Sequence, residues 1–231
     1  MNPWILDMWW HDVCFMHWRA DAARLGRALP PGVELDLYAG DAWLSVVPFR
    51  MTDVRPRGLF TLPGFAHVPE INLRTYVRVG KRRGVWFFSL DAASRIAVRA
   101  ARITTALPYF DARISSTEQN GSIAYASERR SRRGPRAAFA ASYAPSGAPT
   151  VAPGDSLAAF LHERYRFFSR RGASLWTAEI AHPPWQLQTA THSIALNSLG
   201  ETIGYPLTTT PDHVWFGREM HVRATATLPL G

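Results

Sequence analysis

The chain has 231 residues, a formal charge of +8 at pH 7 and a single cysteine, Cys14. That length supports a core without staples, and one cysteine excludes an internal disulfide. No apolar run approaches the roughly 18 residues of a membrane span, and the start, with Asp7 and Asp12, lacks the basic and apolar regions of a signal peptide, so a cytoplasmic protein of one domain, 1–231, is expected.

In chain order, Trp9 to Trp18 alternates aromatic and polar residues and reads as a strand. Asp21 to Leu29 carries Ala22, Leu25 and Leu29 at helical spacing and is stopped by Pro30-Pro31-Gly32. Val33 to Tyr38 and Ala42 to Met51 flank a Gly40-Asp41 turn and predict a hairpin. After a Pro/Gly loop over Arg55 to Gly64, Ile71 to Val79 and Val85 to Leu90 predict a second hairpin. Ala92 to Ala101 fits either a short helix or a strand. Pro108 to Ser116 and Ser122 to Arg129 flank Gln119-Asn120-Gly121, a strong hairpin signal.

Ala137 to Tyr143 reads as a strand, followed by a Pro/Gly/Ser loop up to Gly154. A helix is predicted from Asp155 or Ser156, with Leu157, Phe160, Leu161, Tyr165 and Phe168 on one face, ending at Arg170-Arg171-Gly172. Two or three strands cover Leu175 to Ala195, and another covers His213 to Thr227. Many strands with few helices predict an α+β fold whose sheet is closed or nearly closed on itself, with helices at its ends.

The positive charge is almost wholly arginine, with Lys81 the only lysine, which is what GC-rich codons produce. Its densest cluster, Arg129, Arg130, Arg132, Arg133 and Arg136, reads as a solvated loop at a strand end rather than a nucleic-acid face. Zinc-finger spacing and the aromatic signature of an RNA-binding sheet are missing, so no nucleic-acid partner is expected. His182, His192, His213 and His221 are too scattered for a metal site, and no metal is predicted.

One stretch carries a resemblance. Glu70-Ile71-Asn72-Leu73-Arg74-Thr75-Tyr76-Val77, then Trp86-Phe87-Phe88-Ser89-Leu90-Asp91, then Ala100-Ala101-Arg102 and Leu107-Pro108-Tyr109-Phe110-Asp111-Ala112 resemble the YqjF-like family of bacterial proteins. Phe15-Met16-His17-Trp18 and Trp43-Leu44-Ser45-Val46-Val47-Pro48-Phe49 support it. That family is similar to the acetoacetate decarboxylases, and the resemblance implies their closed antiparallel β-barrel or cone with a few flanking helices, enclosing a pocket. In those enzymes a Gly-Arg-Glu segment precedes Phe-Pro-Lys-Lys, whose first lysine forms a Schiff base. Laying Pro108 on that proline puts Arg102 on the arginine, Tyr109 on the reactive lysine, Phe110 on its neighbour and Ile103 on the glutamate. Tyrosine forms no imine, so the resemblance implies the fold without Schiff-base chemistry.

The residues themselves add a site. Glu70, Asn72, Arg74 and Tyr76 share one face of an extended strand. The strand expected beside it, Val85 to Leu90, is apolar on both faces, as for a strand covered on both sides, which places the polar row in an enclosed site. Two readings stand for Glu70 and Arg74: a ligand pocket, or a structural ion pair. Arg102 is a candidate anion anchor or a partner of Asp91 or Glu70. Tyr109 is a candidate general acid or a filler of the vacated lysine space. His17, between Met16 and Trp18, is a hydrogen-bonded core residue or a site residue.

The expected function is a lyase or isomerase acting on a small carboxylate- or keto-bearing molecule, with Glu70 and Tyr109 as acid and base. Arg102, Arg74, Asn72, Tyr76, Phe110 and His17 would bind the substrate, and no cofactor would be needed. The alternative is a non-catalytic binder of a small anion on the same fold. The sequence is compatible with a homo-oligomer and gives no membrane partner.

Overall fold

The computed structural model describes residues 3–61, 63–208 and 210–230. Its strands are β1 (Trp4–Ala20), β2 (Glu34–Leu35), β3 (Ala42–Pro56), β4 (His67–Val79), β5 (Arg82–Ala92), β6 (Tyr109–Gln119), β7 (Ser122–Arg129), β8 (Ala138–Val151), β9 (Arg166–Arg171), β10 (Ser174–Ala181), β11 (Gln186–Asn197), β12 (His213–Thr225) and β13 (Leu228–Pro229). The helices are α1 (Ala22–Gly26), α2 (Arg95–Thr105) and α3 (Leu157–His162). No helix among the described residues is long and apolar enough to cross a membrane.

The strands form one 13-stranded sheet that closes on itself twice. One ring runs β5-β6-β7-β8-β11-β12-β1-β3-β4 and returns to β5; the other runs β5-β9-β10-β12-β1-β3-β4 and returns to β5. The closures are possible because β5 and β12 each fork. Leu90 to Ala92 pair in parallel with Tyr109 to Asp111, whereas Val85 and Trp86 pair in parallel with Phe167 and Phe168. On β12, Trp215 to Gly217 pair with β11, and Arg223 and Ala224 with β10. The closed, mostly antiparallel sheet expected from the sequence is what the chain adopts.

Strands β1, β3 and β4 therefore form a wall between two interiors, and alternation sends successive side chains into different ones. Cys14, Met16 and Trp18 of β1 pack with Leu44, Ile71, Leu73, Tyr125 and Phe139 in the first ring. Val13 and Phe15 face the second ring, with Val47, Phe49, Trp185 and Val222. This double burial is why Val13 to Met16 of β1 and Val46 to Phe49 of β3 are unbroken apolar runs. At Gly217 of β12, which pairs with β1, there is no room for a side chain, because a Cβ there would lie 2.6 Å from the Trp185 ring. Gly217→Ala is expected to cost about 1–3 kcal/mol by overpacking, read as a shifted urea midpoint at unchanged slope.

Several local expectations hold. β4 and β5 form a hairpin, as do β6 and β7 around Asn120 and Gly121, both at positive φ. The segment left open between helix and strand is α2, capped by Ser94, whose side chain accepts from the Ala97 amide at 3.2 Å. Others fail. The predicted hairpin of Val33–Tyr38 with Ala42–Met51 reduces to a Tyr38–Asp41 bridge, because β2 pairs with β4 instead. α1 stops at Gly26 instead of reaching Leu29.

The helix expected to run on towards Arg170 ends at His162. The Arg164 side chain turns back to donate to the Phe160 carbonyl at 2.5 Å, and Phe167 and Phe168 are taken into β9 by pairing with β5 and β10. Tertiary pairing overrides the helical spacing here. Arg129 also leaves the expected solvated cluster: it is buried, and its Nε and Nη2 donate to the two Asp91 carboxylate oxygens at 2.6 and 2.8 Å.

Candidate functional site

The second ring is not filled. It holds a partly open chamber of about 130 Å³ whose apolar walls include Phe15, Phe49, Phe87 and Trp185. Into it β4 sends Glu70, Asn72 and Arg74, all buried. The alternation survives because the β4–β5 irregularity lies on the β5 side: Leu73 opposes Ser89 and Arg74 opposes Phe87, so Phe88 is passed over. Tyr109, at the head of β6, lines the same chamber.

The polar groups are incompletely satisfied. Arg74 Nη2 donates weakly to the Leu161 carbonyl at 3.4 Å, its Nε has no partner, and no ion pair among the described residues uses it. Glu70 Oε2 and Asn72 Oδ1 are also buried without partners. Burial raises the Glu70 carboxyl to about 8, against an opposing hydrogen bond from Tyr109 and with a small push from Asp91. Glu70 is thus a neutral acid at pH 7. Burial and the neighbouring Glu70 hold the Tyr109 hydroxyl well above its ordinary range, so it stays a donor.

Behind this row lies a neutral histidine relay. The His162 Nδ1 lies 2.7 Å from the Ala158 carbonyl and must carry the proton, so His162 Nε2 accepts. His17 Nε2 then donates to it over 3.2 Å, and His17 Nδ1 accepts from Ser45 Oγ at 2.7 Å. Tyr76 Oη lies 2.9 Å from Ser45 Oγ. Burial lowers the His162 ring to about 3, Arg74 adding to the effect, and holds His17 well below its usual value.

An open groove of about 1140 Å³ lies outside the chamber, and Arg164, Ile180 and His182 line both. Its charges are largely paired: Arg166 to Glu179 at 2.6 Å, Arg223 to Asp7 at 3.1 Å and Arg83 to Asp36 at 3.2 Å. Buried unpartnered atoms occur elsewhere too, including Arg166 Nε in this groove, but among the described residues only the β4 row brings a carboxyl, an amide and a guanidinium without partners to one chamber.

The model of the DUF2071 family, described as an uncharacterised conserved protein, matches residues 7–221. The chain belongs to this family. It is 40% identical over 204 residues to the uncharacterised protein YqjF of Bacillus subtilis (strain 168), covering 88% of this chain and 84% of that one. Among solved structures, this DUF2071 chain is similar to an acetoacetate decarboxylase-like enzyme from Sphingomonas wittichii RW1, with TM-score 0.70, 15% identity and 99% and 94% of the two chains covered. It is similar to the acetoacetate decarboxylase of Legionella pneumophila, with TM-score 0.67, 13% identity and 99% and 90% covered. It also resembles the enduracididine biosynthesis enzyme MppR complexed with pyruvate, with TM-score 0.61, 16% identity and 100% and 90% covered. At these identities the likeness is one of fold.

The DUF2071 chamber gathers four of the expected residues, Glu70, Asn72, Arg74 and Tyr109, and leaves four outside its lining. Arg102, expected to anchor an anion, sits on α2 and donates from Nε to the Tyr109 carbonyl at 2.6 Å; it positions that residue's backbone. Phe110 points away by alternation and stacks under Arg129, 3.9 Å from ring centroid to guanidinium carbon. His17 and Tyr76 are locked in the hydrogen-bonded relay. His162 and Arg164 line the chamber without any sequence signal, since their segment reads as a helix whose marked face is Leu157, Phe160, Leu161, Tyr165 and Phe168. Among the described residues no group of three metal-ligating side chains is present.

Proposed function

We propose that the chamber binds a small carboxylate and that Glu70 and Tyr109 perform acid–base chemistry on it, as a lyase or isomerase, without an imine. The observation that carries this reading is the buried Arg74 guanidinium, unpaired by any carboxylate and facing a small chamber. A buried cation without a counter-charge is costly, and a guanidinium matches a carboxylate by charge and shape. Tyr109 stays protonated and supplies the acid beside it, while Glu70, raised to about 8, becomes the base in its ionised form as pH approaches that value. The only lysine, Lys81, is exposed in the turn between β4 and β5, which supports chemistry other than Schiff-base formation. Pyruvate in the structurally similar MppR complex is a small carboxylate of suitable size.

Short carboxylates are expected to raise the melting temperature of the wild type but not of Arg74→Gln. Saturation near one hundred times Kd adds about 2.7 kcal/mol, or roughly 5–10 °C for a chain of this length. A folded wild type that no carboxylate stabilises overturns the reading. The apolar walls around the polar row favour a second reading, a binding protein without turnover. Tyr109→Phe separates the two: an enzyme is expected to lose about 10²–10⁴-fold in turnover, whereas a binder keeps most of its affinity.

A further inference from the structure

Resting on the carboxylate reading above, we infer that the chamber selects a short hydroxy acid, its carboxylate on Arg74 and its hydroxyl held between Asn72 and Glu70. Among the described residues, five that line the chamber carry an unpartnered buried polar atom; Trp10 Nε1 and Arg164 Nη2 lie on other elements, and the three on the β4 row are Arg74 Nε, Asn72 Oδ1 and Glu70 Oε2. Arg74 Nε only donates and takes the carboxylate. Asn72 Oδ1 only accepts and needs an O–H or N–H from the ligand. Glu70, neutral and hydrogen-bonded to Tyr109, can present a proton on Oε2.

A hydroxyl satisfies both remaining atoms of the β4 row at once: its oxygen accepts from Glu70 and its hydrogen donates to Asn72. A ketone accepts from Glu70 but leaves Asn72 Oδ1 bare, and a methylene leaves both bare. A polar site rejects an analogue that strands its groups. An α-ammonium group would also donate to Asn72, but it would bring a second positive charge beside Arg74 with no anionic side chain to receive it. The volume of about 130 Å³ restricts the ligand to a few carbons.

Calorimetric titration at pH 6.5 tests the assignment with size-matched probes: lactate, pyruvate, propionate and alanine, then 3-hydroxybutyrate against butyrate. Each hydroxy acid is expected to bind the wild type at least tenfold tighter than its matched analogues. Asn72→Leu should erase that preference while keeping carboxylate affinity, and Arg74→Gln should abolish binding of all of them. Pyruvate or propionate binding as tightly as lactate overturns the hydroxyl assignment and leaves the carboxylate chamber standing. No acid binding to the folded wild type overturns both. Should Asn72→Leu fail to fold, the ranking on the wild type decides the question alone.

Discussion

Arg129→Leu is expected to destabilise the protein by about 3–5 kcal/mol, because it strands Asp91 in the interior. Both side chains are 1% exposed, and the guanidinium makes two hydrogen bonds to the carboxylate and a third, at 3.1 Å, to the Pro135 carbonyl. Burial already pushes the Asp91 carboxyl above its ordinary value despite Arg129. Without the guanidinium, Asp91 has to take up a proton or unfold its surroundings. The melting temperature should fall by roughly 6–20 °C. By contrast, Glu118→Ala removes an exposed partner 3.4 Å from Arg218 and is expected to cost less than about 1 kcal/mol. Similar losses in the two variants, by urea unfolding, would show that the Asp91–Arg129 pair contributes no more than a surface contact.

Glu70→Gln is expected to change the pH dependence of stability rather than its value in acid. The folded chain raises this carboxyl from 4.5 to about 8, so folding favours the protonated form. The resulting stability is fully present below about pH 4.5 and is lost as pH rises through about 8, a difference on the order of 3–5 kcal/mol. Glutamine mimics the neutral acid and does not titrate. The variant should match wild type at pH 5 and exceed it by a few kcal/mol at pH 9. Parallel declines from pH 5 to pH 9 would mean that other groups carry the loss and that Glu70 is ionised in the folded protein.

The polar row on β4 is legible in the sequence because two adjacent signals disagree: alternation exposes one polar face, while the neighbouring strand is apolar on both. Only an enclosed polar site satisfies both, and the chamber is where they meet. The forks of β5 and β12 are not legible, since the pairing of Val85 with Phe167 joins residues far apart in sequence and leaves no local pattern. The same pairing draws Phe167 and Phe168 out of an apparent helix and brings His162 and Arg164 to the chamber wall. Arg102 misleads for a geometric reason. A helix end places its guanidinium on the Tyr109 backbone carbonyl, so the position matched to a family arginine lies outside the chamber lining.

The wall shared by the two rings also bears on how the protein is made. Its strand β1 is zipped to β12 from Trp4 opposite Thr225 to His17 opposite His213, so the first of these thirteen strands to be synthesised finds one of its two neighbours only about two hundred residues later. Neither interior can close while β12 is still inside the ribosome, and the apolar face of β1 must wait uncovered. Such long-range pairing slows folding and exposes the nascent chain to aggregation. Removing β12 and β13 is therefore expected to yield an insoluble chain rather than a smaller folded unit, with chaperone demand set by the time between synthesis of the two strands.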